Sequence, residues 1–207
     1  RQRQMGIRDS PYPDHALKLG RAAIDIKKRL AERREVWRQT GQMEIKARMG
    51  MNTGNAVIGN MGSRTRMDYT MMGDSVNLAA RLEGANKYYG TYAMISERTY
   101  HQVKEHVDAR ELDTIRVVGK DEPIKVFELL GRKGELPDYM TDMLRKYPEG
   151  LELFHARDWK GARTAFKAGV KIVQDDGPSN TYIERCSEFI DTPPPKNWDG
   201  VYKMKAK

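Results

Sequence analysis

The spacing of apolar and polar positions divides the chain into segments of different period. After the turn-forming Ser10-Pro11-Tyr12-Pro13, Asp14 is placed to cap a helix, and Ala16, Leu19, Ala23, Ile26 and Leu30 follow at steps of three and four. That stripe predicts a helix running to Thr40-Gly41. From Met43 the period becomes two: Met43, Ile45, Ala47, Met49 and Met51 alternate with Glu44, Lys46, Arg48 and Gly50, which predicts a half-buried strand. Gly54, Gly59 and Gly62 punctuate the next segment and predict a tight strand-to-helix turn. A short strand at Met67–Met71 leads through Gly73 into a helix from about Asp74 to Asn86. Tyr92–Ile95 reads as another strand, and Ser96 caps a helix to about His106. Val107–Val118 and Ile124–Leu129 read as two strands joined at Gly119-Lys120-Asp121-Glu122. Interleaved helices and strands with at least one hairpin predict an α/β sandwich containing antiparallel pairs, with helices on one side of a sheet.

The turn-rich stretch Gly131–Pro137 ends that unit, and the chain beyond it is helical in pattern. Glu149–Phe154, Trp159, Ala162, Phe166 and Val170 give a helix pair broken near Ala156–Asp158. Asn180–Ile190 gives a further helix, and Pro193-Pro194-Pro195 stops it before a tail expected to be a strap or a mobile end.

Charge changes this picture little. Lys and Arg number 37 against 29 Asp and Glu, a net charge of +8, and much of the excess sits on the first helix at Lys18, Arg21, Lys27, Lys28, Arg33 and Arg34. No aromatic residues interleave these cations, so they read as a solvated helix face and no nucleic-acid partner is expected. No run approaches the ~20 apolar residues a bilayer span needs. The single cysteine, Cys186, cannot form an internal disulfide, and a cytoplasmic setting is expected.

Candidate chemistry narrows to one stretch. Gly54 to Gly59 has the glycine spacing of a phosphate-binding loop, but Asn60-Met61 stand where Lys and Ser or Thr would be needed. His15, His101, His106 and His155 show no metal-ligand spacing. In Met67-Asp68-Tyr69-Thr70-Met71-Met72-Gly73-Asp74-Ser75-Val76-Asn77-Leu78-Ala79-Ala80-Arg81-Leu82-Glu83, by contrast, Asn77 and Arg81 are four apart and share a helix face. An amide beside a guanidinium can hold a sugar oxygen and an anionic phosphoryl group; alone, such a pair can also be merely solvated.

With Met49-Gly50-Met51-Asn52-Thr53-Gly54 upstream and Val118-Gly119-Lys120-Asp121-Glu122-Pro123-Ile124-Lys125-Val126-Phe127-Glu128-Leu129 downstream, that string closely resembles the bacterial class III nucleotidyl cyclases of the adenylate cyclase kind, from about Pro11 to Leu130. The resemblance implies a ferredoxin-like α/β (α+β) sandwich that forms a head-to-tail homodimer with composite sites at the subunit interface. It implies conversion of ATP to cyclic AMP and pyrophosphate with two Mg2+ or Mn2+ ions, an intramolecular phosphoryl transfer that rests on positioning and electrostatics. It assigns Asn77 to the ribose, Arg81 to charge on the α-phosphate, Thr70 to the adenine edge and Lys120 to the terminal phosphates. Thr70 is also readable as a strand residue, and Lys120 as an exposed hairpin lysine.

The chain departs from that family pattern at its start. The pattern has two metal-binding Asp residues and a purine-selecting Lys; the second Asp would fall near Gln2, and the first strand would precede Arg1. Asp9 stands at the wrong end of that hairpin. The expectation is therefore a cyclase domain lacking its first strand (residues 1–134), with no metal ligands of its own and inactive alone. A tetratricopeptide-like helical extension (135–192) and a Pro-rich tail (193–207) follow. The extension resembles a helix pair through Gly150-Leu151, Trp159, Ala162, Phe166 and Ala168, and is expected to dock on the cyclase domain. A guanylate cyclase, or a non-catalytic cyclase domain acting as a dimerisation or regulatory module, remains as an alternative. Bacterial relatives are often tethered to sensory or transmembrane modules, which leaves an upstream sensor and a membrane anchor on the parent protein open.

Overall fold

A computed structural model describes residues 12–63, 65–116 and 123–201. Along the chain run α1 (His15–Gln39), β1 (Met49–Met51), β2 (Val57–Ser63), β3 (Arg66–Met72), α2 (Asp74–Tyr89), β4 (Ala93–Ser96), α3 (Glu97–Val103), β5 (Val107–Ile115), β6 (Ile124–Arg132), α4 (Asp138–His155), α5 (Trp159–Ile172) and α6 (Gly177–Asp191). Four strands form a sheet in the order β1-β4-β6-β5, with β1 parallel to β4 and the other pairs antiparallel.

Helices cover both faces of this sheet, where one side was expected. Ala93, Met94, Ile95 and Ser96 are all buried. Ile95 packs with Ala16, Ala23 and Ile24 of α1, Val103 of α3 and Phe127 and Leu129 of β6. Met94, on the opposite face, packs with Leu78, Leu82 and Ala85 of α2 and with Leu112 and Val126. An unalternating apolar run such as Ala93-Met94-Ile95 marks a strand covered on both sides.

Three local expectations are corrected. Asp14 makes no side-chain cap, because its φ of −99° and ψ of 14° depart from the extended conformation that turns a cap back onto the first helical amides; its carboxylate reaches Lys18 Nζ at 3.1 Å instead. The strand foreseen over Met43–Met51 is only β1, and Met43 and Ile45 are 86% and 55% exposed. Alternation alone does not make a strand without a neighbour to pair with. The glycine-punctuated segment is itself a strand: β2 pairs antiparallel with β3, Gly59 opposite Thr70 and Gly62 opposite Met67. Gly62, at φ 150°, lets the two strands close, since a Cβ there would lie 2.0 Å from the Arg66 carbonyl oxygen.

The C-terminal helices have their own core of Met143, Tyr147, Leu151, Phe154, Ala162, Phe166, Tyr182, Cys186 and Phe189. α4 begins at Asp138, well before Glu149, and continues through Pro148. Trp198 meets Phe154, Trp159 and Phe189 edge-on at 6.0, 5.7 and 5.2 Å, and Arg157 donates to the carbonyls of Pro195, Lys196 and Trp198, so the segment around 195–198 lies strapped across the helices. A buried ionic seam joins α6 to the sheet. Arg110 of β5 holds Asp176 at 2.6 and 3.0 Å and Glu128 at 2.8 Å, and Arg185 of α6 holds Asp113 at 2.5 Å.

Candidate functional site

α2 starts at Gly73, whose φ of 142° a side chain would resist and whose carbonyl accepts from the amides of Val76 and Asn77. One stripe of the helix, Leu78, Leu82, Ala85, Asn86 and Tyr89, is buried, while Asn77 and Arg81 are exposed on another face one turn apart. Among the described residues neither Asn77 nor Arg81 makes a side-chain hydrogen bond or ion pair. Their amide and five guanidinium donors thus remain available to a ligand.

The upstream motif fixes this helix. A Cβ on Gly50 would stand 2.1 Å from the Ala79 carbonyl oxygen and 2.2 Å from the Glu83 amide nitrogen, so β1 touches α2 backbone to backbone. Asn52 Nδ2 donates to the Ser75 carbonyl at 3.1 Å and its Oδ1 accepts from Ser96 Oγ at 2.7 Å, tying the first turn of α2 to the end of β4. Asn86 is fully buried: its Nδ2 donates to the carbonyls of Met49 at 3.0 Å and Leu82 at 2.9 Å, and its Oδ1 accepts from Thr91 Oγ1 at 2.8 Å. Sequence reasoning missed Asn52 and Asn86. The available signal was an amide at position 86 on the otherwise apolar stripe Leu78-Leu82-Ala85-Tyr89. At the far end of α2, burial and next the Asp113 carboxylate hold the Tyr89 phenol well above its ordinary range.

Thr70 is half-buried on β3, across from Gly59, where a Cβ would meet nothing within 4 Å. The chain Met71-Met72-Gly73 connects it to α2, but among the described residues no hydrogen bond joins Thr70 to Asn77 or Arg81. Lys120 lies outside the described residues. A groove of about 680 Å³ beside α4 and α5 and another of about 370 Å³ between α1 and β6 are lined by neither Asn77, Arg81 nor Thr70. Among the described residues the pair is exposed. Among the described residues no three His, Cys, Asp or Glu side chains converge as a metal-binding group. No described helix is long and apolar enough to cross a membrane.

The family model for adenylate and guanylate cyclase catalytic domains matches residues 5–131, more than half of the chain, and the chain belongs to that family. Adenylate cyclase 1 of Rhizobium meliloti (strain 1021) is 37% identical over 125 residues, 60% of this chain and 18% of that protein. The adenylate cyclase of Anabaena cylindrica is 36% identical over 94 residues, 44% of this chain and 19% of that protein. The chain thus spans less than a fifth of these curated relatives. Among solved structures, the adenylyl cyclase CyaB from P. aeruginosa superposes with a TM-score of 0.53 at 32% identity, covering 62% of this chain and 65% of that one. The guanylyl cyclase Cya2 gives 0.51 at 25%, covering 62% and 64%.

Proposed function

We propose that this chain contributes to the conversion of ATP to cyclic AMP and pyrophosphate. In the reaction the ribose 3′-hydroxyl loses its proton and its oxygen bonds to the α-phosphorus, while the bond between that phosphorus and the α,β-bridging oxygen breaks and pyrophosphate leaves with the bridging oxygen. The single observation that carries this reading is the pair Asn77 and Arg81, unengaged on an exposed face of a helix whose backbone Gly50 and Asn86 hold against the sheet. Asn77 orients the ribose, Arg81 offers preorganised positive charge where the α-phosphate accumulates negative charge, Thr70 meets the adenine edge and Lys120 the terminal phosphates. An open face is completed by a second surface, which supports a site shared between two protomers of a homodimer. When bound, two divalent ions would activate the 3′-oxygen and clamp the phosphates.

The test supplies ATP and GTP separately to the 207-residue chain, alone and mixed with a cyclase-family catalytic domain that keeps its metal-binding Asp residues but has lost its own Asn and Arg. The expected result is cyclic AMP from the mixture and none from the chain alone. Arg81→Ala is expected to lower the mixture's turnover on the order of 10²–10³-fold. Cyclic GMP as the main product would move the assignment to a guanylate cyclase, and no product from either would favour a non-catalytic dimerisation module.

A further inference from the structure

The C-terminal helices grip α2 at the end opposite Asn77 and Arg81. Tyr89 is fully buried, and its hydroxyl donates to Asp113 Oδ2 at 2.6 Å. Arg185 of α6 donates to the same oxygen at 2.5 Å and to the Tyr89 hydroxyl at 3.2 Å, with its guanidinium 5.2 and 5.1 Å from the ring centres of Tyr89 and Tyr182. Thr181 Oγ1 stands 3.0 Å from the Tyr88 carbonyl, one of the last-turn oxygens that no helical amide can reach, and 3.0 Å from the Gly177 carbonyl of its own helix, the two oxygens sharing its one proton. Gly177 lies so close that a Cβ on it would stand 2.3 Å from the Tyr89 carbonyl oxygen. α6 is itself fixed, because Asp176 accepts from the Ser179 amide at 3.0 Å while it holds Arg110 of β5.

We propose that Arg185 and Thr181 are positioning residues, through which α6 clamps the C-terminal end of α2 and so sets where Asn77 and Arg81 stand. A helix rising about 1.5 Å per residue carries that constraint over roughly 12–18 Å with little bending. The chain after α6 also reaches the sheet: Asp199 pairs with Arg116, the residue after β5, at 2.9 Å. The catalytic half of this inference rests on the cyclase reading; the mechanical half does not.

Whole-chain Arg185→Met and Thr181→Val variants, shown to be folded by thermal unfolding, separate a clamp from simple glue. The first readout is amide hydrogen exchange over Asp74–Arg81, with α5 as internal reference. Exchange there is expected to quicken by about tenfold in Arg185→Met and by less in Thr181→Val. In the mixed cyclase assay kcat is expected to fall about tenfold or more while KM for ATP stays within about twofold. Unchanged exchange over Asp74–Arg81 in a folded Arg185→Met, or faster exchange with kcat at the wild-type value, overturns the proposal. Should Arg185→Met fail to fold, Thr181→Val decides it on the same two readouts. Should the unsubstituted mixture make no cyclic nucleotide, the cyclase reading falls, and exchange over Asp74–Arg81 still upholds or overturns the clamp.

Discussion

Gly50 of β1 and Ala79 of α2 meet backbone to backbone, at a separation that leaves no room for even a methyl group between them. The φ of Gly50 is outside the left-handed region, so the demand for glycine is one of space alone. Gly50→Ala is expected to destabilise the fold by about 1–3 kcal/mol, the cost of overpacking, and to push α2 away from the sheet. Urea unfolding measures the first effect and the loss of cyclase-mixture turnover the second.

Asn86 satisfies buried carbonyls from two elements at once. Asn86→Leu keeps the volume but leaves the Met49 carbonyl and the Thr91 hydroxyl without this partner, at an expected cost of about 1–3 kcal/mol. A lowered denaturant midpoint with an unchanged slope checks it.

Asn77 and Arg81 support nothing internal, so removing them should leave the fold alone. Asn77→Ala and Arg81→Ala are expected to change unfolding free energy by no more than about 0.5 kcal/mol. A large drop in thermal midpoint for either would mean that the pair serves the fold.

Three phenols, Tyr89, Tyr147 and Tyr182, are held above their ordinary range chiefly by burial, and burial pushes the Cys186 thiol up to about 11. All four groups are neutral when protonated. Between the ordinary and the raised values the unfolded chain gives up these protons and the native chain keeps them. Their contribution to stability is therefore complete below about pH 9 and declines as pH rises from there. Absorbance titration should show the three phenols ionising only with unfolding, and Cys186 should resist a thiol reagent at pH 8 until denaturant is added.

The parts of the fold legible in the sequence are those written in local periodicity. α1, α2, β4 and the β5–β6 hairpin lie close to where their apolar spacing puts them, and the step from Gly73 into α2 was readable from one glycine. β3 was legible as the short strand Met67–Met71, but its partner β2 was not, because Val57-Ile58-Gly59-Asn60-Met61 has no alternation and its place is fixed only by pairing across a turn. The reverse error occurred at Met43–Met51, which alternates and yet forms three residues of strand. The candidate pair was legible because Asn77 and Arg81 sit one turn apart. Its supports were not, since Asn52 reaches Ser75, Asn86 reaches Met49 and Arg110 reaches Asp176 across 23, 37 and 66 residues. In a sequence, opposite charges on distant segments are indistinguishable from ordinary solvated surface.

The ionic seam gives the molecule an uncommon kind of joint. Where the core of the C-terminal helices meets the sheet, the paired charges Arg110, Glu128, Asp176, Asp113 and Arg185 are buried among the aromatic rings of Tyr89, Tyr147 and Tyr182. A greasy joint tolerates sliding and, once opened, sticks to whatever is near. A joint made of matched charges has one register, and parting it uncovers groups that water accepts readily. Removing one member of that seam would leave its partner as an uncompensated buried charge, so each side depends on the other being in place.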